Sequence, residues 1–313
     1  MTIDYEKSAF IFPGQGSQVV GMGQNLNSAY SVAKDLFENA NAILGINFTE
    51  VMWSGPEAEL NDTINTQPAL FIHSLAVFRV FKSLYPESSP RLVAGHSLGQ
   101  LSAITAAGVL SFEDGLRLVR KRGELMKRAG EISPGGMAAI LNLDIPALEK
   151  VCAEASNSDE FVQVANDNCP GQVVISGHKP ALERAMVAAK LAGAKRALPL
   201  AVSIAAHSPL MDSIQKEWDQ AVDAATFNPI VIPIVGNVSA TVVNTVEGLR
   251  LEVKSQMQSR VRWTESIKWM SAQGISTYIE VGSGSVLGGL VKRIAEGVIT
   301  LQIGTPLDFE IFS

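Results

Sequence analysis

From Arg91 to Leu110 the chain runs RLVAGHSLGQLSAITAAGVL. Arg91 to Ala94 is a short apolar run that reads as a strand, and Leu101 to Leu110 is rich in Ala, Leu and Ile and reads as a helix. Between them Gly95-His96-Ser97-Leu98-Gly99 forms a G-x-S-x-G turn. Small residues flanking the serine permit a sharp strand-to-helix turn that lifts its hydroxyl above the end of a sheet. The main-chain N–H of Leu98 then points to where an oxyanion would form, and the helix N-terminus adds partial positive charge. Ser97 is therefore the candidate nucleophile, on an α/β scaffold.

Working outward, Ala9 to Phe12 reads as a buried strand, and Tyr30 to Leu44 and Gln67 to Tyr85 as helices. Such alternation implies a parallel sheet flanked by helices. The middle differs. Met137 to Leu141, Phe161 to Ala165, Gln172 to Ser176 and Lys195 to Leu200 read as strands, with helices at Ile145 to Ala155 and Pro180 to Ala192. The order β-α-β-β-α-β is that of a ferredoxin-like unit, entered at Ser133-Pro134-Gly135-Gly136. Apolar strands resume at Ile230 to Gly236 and Thr277 to Val281. The expected organisation is a discontinuous large domain, 1–132 and 202–313, with a small domain at 133–201.

The 313 residues are 47% hydrophobic and 18% charged, enough for a substantial core. No apolar run is long enough to span a membrane, and Met1 to Lys7 lacks the basic and apolar regions of a signal peptide. Cys152 and Cys169 make neither a disulfide framework nor a zinc site, so the cytoplasm is the expected compartment and no metal is expected. A net charge of −6 argues against nucleic acid as a partner.

A serine nucleophile needs a base. His178 lies in a polar turn and reads as solvated, and His73 sits among apolar neighbours and reads as packed. His207 ends an apolar run before Ser208-Pro209, a capped helix start, which suits either a rigid general base or a histidine that merely supports the cap. No acid stands out as a third partner; Asp144, Asp159 and Asp167 fall in the small unit, so a carbonyl is expected to orient the imidazole. Ser111 to Arg128 reads as a helix opened by a capping box. Arg117, Arg120, Lys121, Glu124 and Arg128 share its polar side, whereas Arg122 has Leu118, Val119, Leu125 and Met126 at helical spacing. A buried guanidinium needs an anion, either a structural carboxylate or that of a substrate. Pro13-Gly14-Gln15-Gly16-Ser17-Gln18 lacks the third glycine of a dinucleotide loop and the lysine of a phosphate loop. It reads as a turn beside the elbow, with Gln15 as second oxyanion donor. Val281 to Ser285 reads as a tight strand-to-helix turn.

FPGQGSQ (12–18), Gly21-Met22-Gly23, Thr66-Gln67-Pro68-Ala69, GHSLG (95–99), Arg122-Gly123, Gly135-Gly136-Met137, NDNCPGQVVISG (166–177), His207 to Met211 and Glu280-Val281-Gly282 occur in that order. Together they resemble the malonyl-CoA:acyl carrier protein transacylases, acyltransferases of fatty acid and polyketide synthesis, over essentially the whole chain. The resemblance implies a hydrolase-like large domain with a ferredoxin-like insertion. It implies Ser97 as nucleophile, His207 as base and Gln15 with the Leu98 N–H as oxyanion site. Arg122 becomes the malonyl carboxylate clamp, and the main-chain carbonyl of Gln256 orients His207. His96, Ala206 and Asn166 are carried over as substrate-lining positions.

The implied reaction is ping-pong, from malonyl-CoA through a Ser97 ester to the phosphopantetheine thiol of an acyl carrier protein, with no cofactor of its own and in a monomer. Lys121, Arg128, Lys292 and Arg293 are candidate carrier contacts. Two positions depart from the family pattern: Gln100 stands where Glu is usual, and Ala206 precedes the base where related synthase domains carry Phe with malonyl and Ser with methylmalonyl. The alternatives are a serine thioesterase or other hydrolase, a trans-acting polyketide acyltransferase with other extender-unit selectivity, and an inactive docking subunit.

Overall fold

The computed structural model describes residues 3–312, so Met1, Thr2 and Ser313 lie outside the described residues, the first two belonging to the amino-terminal stretch read above. The chain runs β1 (Ser8–Phe12), α1 (Gln24–Ala29), α2 (Ser31–Leu44), α3 (Phe48–Ser54), α4 (Glu57–Leu60), α5 (Thr63–Leu84), β2 (Leu92–Gly95), α6 (Gly99–Ala106) and α7 (Phe112–Ile132). There follow β3 (Gly135–Leu141), α8 (Ile145–Ala155), β4 (Val162–Cys169), β5 (Gln172–His178), α9 (Lys179–Leu191) and β6 (Arg196–Pro199). The remainder is α10 (Asp212–Ala224), β7 (Ile234–Val235), β8 (Val242–Val243), α11 (Val246–Ser255), α12 (Trp263–Ala272), β9 (Thr277–Val281), α13 (Val286–Ile294) and β10 (Ile299–Ile303).

The larger sheet has the order β10-β9-β1-β2-β7-β8 and is parallel except for the β7–β8 pair. β1 is buried along its whole length, as a strand covered by helices on both faces must be. Phe10 meets Phe81 of α5 edge-on at 5.1 Å, and each such buried ring contributes about 1.5–3 kcal/mol. The smaller sheet, β4-β5-β3-β6, is antiparallel, with α8 and α9 packed together on it. Strand alternation divides its side chains between two cores: Val173 and Ile175 join the α8–α9 core, while Val174 joins the core of the larger unit.

Several bounds differ from the sequence reading, each for a local reason. α5 begins at Thr63 because Asp62 caps it, and Pro68 sits inside it. The carbonyl of Ile64, which Pro68 has no N–H to satisfy, accepts instead from Arg120 Nη1 at 3.1 Å. α6 stops at Ala106, since Gly108 takes a left-handed conformation (φ +77°). β7 is only Ile234–Val235, and β8 and the edge strand β10 were not anticipated. No helix among the described residues is long and apolar enough to cross a membrane.

Candidate active site

At the carboxyl end of β2, Ser97 adopts φ +53°, the strained geometry of the elbow. A Cβ at Gly95 would collide with the carbonyl of Gly99, and one at Gly99 with the carbonyl of Phe12, so both positions require glycine. Asn237 fastens the turn from outside: its Oδ1 accepts the Ser97 N–H (2.8 Å) and its Nδ2 donates to the Gly95 carbonyl (2.7 Å). Asn237 was not anticipated, because it lies 140 positions away in a loop with no local pattern.

Ser97 Oγ and His207 Nε2 are 2.8 Å apart, and His207 Nδ1 is 2.9 Å from the main-chain carbonyl of Gln256. The carbonyl can only accept, which puts the imidazole proton on Nδ1 and leaves Nε2 to take the serine proton. Burial, reinforced by the positive charge of Arg122, lowers the His207 pKa to about 3, so the imidazole is neutral at physiological pH. His207 itself has φ +58°, and its carbonyl is held by Gln163 Nε2 of β4 at 2.9 Å. A carbonyl thus orients the base, as expected, and the acids weighed for that place serve elsewhere. Asp144 caps α8, and Asp167 accepts the Thr264 hydroxyl at 2.5 Å.

Arg122 is 2% exposed and has no carboxylate partner among the described residues, which overturns the structural ion-pair alternative. Its Nη1 donates to Gln67 Oε1 (2.9 Å), and its Nη2 to Gln256 Oε1 (3.0 Å) and Ser97 Oγ (3.2 Å). The Nε–H and the second Nη1–H have no partner among the described residues. Burial lowers the guanidinium pKa to about 10, leaving it charged at neutral pH.

The main-chain N–H groups of Leu98 and Gln15 are likewise unpartnered among the described residues, while the Gln15 side-chain amide turns to Thr63 Oγ1 (3.2 Å). Gly14 packs against the His96 carbonyl, which brings the Gln15 loop to the elbow. The half-buried His96 is fixed by Asn168 Oδ1 at 2.8 Å and lies edge-on to Trp263. Ala206 is buried beside the base. Asn166 is placed in a parallel bridge with Val261, and no hydrogen bond joins it to Ser97.

Other positions are corrected. His178 is half-buried, its Nδ1 accepting the Phe161 N–H at 3.1 Å, and is not a solvated turn residue. His73 is packed as its apolar neighbours imply, with Nε2 on the Gly304 carbonyl. Lys121 and Arg128 both pair with Glu217, and Arg293 holds Gln172 and Pro170, which weakens them as carrier contacts.

Residues 9–298 match the model of the acyl transferase domain family. The chain belongs to the acyl transferase family. This acyl transferase is 42% identical over 298 residues to the malonyl CoA-acyl carrier protein transacylase of Escherichia coli K12, covering 95% of this chain and 96% of that one. It is 42% identical over 305 residues to the enzyme of that name from Bacillus subtilis 168, covering 97% and 96%. An acyl carrier protein S-malonyltransferase from Vibrio cholerae superposes with a TM-score of 0.94 at 41% identity, covering 98% of this chain and 100% of the other. A malonyl-transacylase in complex with a type II polyketide acyl-carrier protein superposes at 0.93 and 39% identity, covering 98% of each chain.

Proposed function

We propose that this acyl transferase moves a malonyl group from CoA to the phosphopantetheine thiol of an acyl carrier protein. The observation that carries the reading is the Ser97–His207 pair standing beside a buried guanidinium that no carboxylate contacts among the described residues. His207 Nε2 removes the Ser97 proton as Oγ attacks the thioester carbonyl. The Leu98 and Gln15 N–H groups take the oxyanion. Collapse of the intermediate breaks the C–S bond, and the imidazolium returns the proton to the CoA sulfur. The carrier thiol then gives its proton to His207 and attacks the malonyl ester, and as the C–Oγ bond breaks the imidazolium returns that proton to Ser97 Oγ. Arg122 holds the free carboxylate of the acyl group throughout, and His96 and Ala206 line its site.

Malonyl-CoA should add one malonyl group to the protein, on the peptide containing Ser97, and Ser97→Ala should abolish it. Label on Cys169, or none, would refute the mechanism. Release to water faster than transfer to pantetheine would identify a thioesterase. The buried, unpaired Cys152 and Cys169 support a reducing cytoplasmic setting. Whether the carrier serves fatty acid or polyketide synthesis is decided by presenting both kinds to the malonylated enzyme.

A further inference from the structure

Four buried side chains form a single directed line behind the nucleophile. Arg122 Nη2 donates to Gln256 Oε1 at 3.0 Å, Gln256 Nε2 donates to Gln100 Oε1, and Gln100 Nε2 donates to Glu252 Oε1 at 3.2 Å. Both side-chain carbonyls face the cation and one N–H of each amide faces the carboxylate, the other Gln256 N–H reaching the Ser97 main-chain carbonyl at 2.9 Å, so the two amide dipoles add head to tail. We propose that Glu252, acting through Gln100 and Gln256, is the remote counter-charge of Arg122 and sets how strongly that guanidinium holds the acyl carboxylate.

Each member is placed by the fold. Glu252 lies one helical turn before Gln256, the residue that ends α11, so the two share a face. Gln100 is the second residue of α6, just past the nucleophile. Glu252 is 6% exposed and receives the Val238 and Ser239 N–H groups at 2.6 and 3.1 Å, an acceptor-only pattern that suits its ionised form. Gly236 makes room for it: a Cβ there would lie 2.5 Å from Glu252 Cδ. A direct ion pair would occupy the Arg122 donors. A carboxylate two amides away compensates the buried cation and leaves the Nε–H and one Nη1–H for a substrate.

The line also limits what can replace Gln100. A second carboxylate at that position would stand against Glu252, and one of the two would have to keep a proton. Gln100 and Glu252 are thus positioning residues acting on Arg122. The charged groups facing the pair are Arg122 from α7 and Arg262, whose Nη1 holds the Val238 carbonyl at 2.9 Å and whose head pairs with Glu265, with His207 beyond Gln256.

The test uses the whole protein and reads Ser97 acylation by malonyl-CoA and by neutral acetyl-CoA between pH 6 and 8. Glu252→Gln removes the distant negative charge, so KM for malonyl-CoA should fall severalfold, roughly 1 kcal/mol being the Coulomb energy of charges well over ~10 Å apart at an effective dielectric of about 20, with acetyl-CoA little changed. Gln100→Glu should do the opposite, raising the malonyl-CoA KM progressively with pH as the shared proton leaves. The double variant should lose that pH dependence.

Effects of opposite sign confined to the charged acyl group are not what general damage produces. Equal losses with both substrates, or a Gln100→Glu profile parallel to the wild type, would overturn the proposal; should that variant not fold, the Glu252→Gln ratio decides alone. The proposal rests on Arg122 as holder of the acyl carboxylate. If that reading fails, Arg122→Ala lowers both substrates alike, whereas if only the relay fails, Arg122→Ala discriminates and the Glu252 variant does not.

Discussion

Arg122→Ala separates a substrate clamp from a structural residue. Among the described residues the guanidinium makes three hydrogen bonds, to Gln67, Gln256 and Ser97, at 2% exposure, and no carboxylate touches it. If the acyl carboxylate completes it, truncation removes a buried, hydrogen-bonded charge pair from the transition state. That loss is about 2–5 kcal/mol, or roughly 30-fold to several thousandfold in the malonylation rate. Acetyl-CoA offers no carboxylate, so its rate should hold or rise.

Stability follows a different sum. Removing a buried cation that no carboxylate contacts directly is favourable, while orphaning the Gln67 and Gln256 oxygens costs about 1–3 kcal/mol each, and the two effects oppose. The melting temperature should therefore move by only a few degrees, at about 2–4 °C per kcal/mol for a large domain. Single-turnover acylation with the two thioesters, beside a thermal melt, provides the measurement. Equal falls for both substrates with a much lower melting temperature would show that Arg122 holds the fold and that carboxylate selection lies elsewhere.

The acylation rate should stay flat from pH 7 to pH 5, because His207, at about 3, is already the free base throughout; a limb near 6.5 would mean that the imidazole is solvated. Stability should respond to acid. His207 and His73, held at about 3 and about 4, sit below the value of 6.5 in the unfolded chain, so their contribution is complete above 6.5 and is lost as pH falls, roughly 2 kcal/mol each by pH 5. Glu280, raised to about 7 by burial, acts in the opposite sense, since its contribution is present below 4.5 and lost as pH rises through 7. Denaturant melts of Glu280→Gln should therefore show a steeper acid decline than the wild type. Gln163→Met, which keeps the bulk and removes the donor to the His207 carbonyl, should slow acylation about three- to tenfold without raising KM, the worth of one hydrogen bond; a pure KM effect would place Gln163 on the substrate instead.

What the chain discloses about itself follows the range of the interaction. The elbow is legible because the G-x-S-x-G pattern is local and the crowding that requires Gly95 acts within five residues of sequence, although the Phe12 carbonyl that requires Gly99 lies far off in the chain, and Arg122 is legible because helical spacing alone sets it on the apolar stripe. The small sheet is readable from alternation, and α8 matches its reading, with Asp144 as its cap. Isolated two-residue strands carry no period, so β7 and β8 are fixed only by their neighbours. β10 does alternate, ITLQI, but its edge position leaves Ile299 exposed and weakens the apolar signal. Asn237, Gln163 and Glu252 act across 140, 44 and 152 positions, and nothing local to any of them announces its partner.

β4 is joined to the larger unit at the heart of the site. The Asp167 N–H reaches the Val261 carbonyl at 2.9 Å and the Val261 N–H returns to Ala165 at 2.8 Å, while Gln163 and Asn168 reach the two histidines. Val261 closes the segment that begins at Gln256, whose carbonyl aims the base. Swinging the two sheets apart would tear this latch and disarm His207 whenever the gate stood ajar.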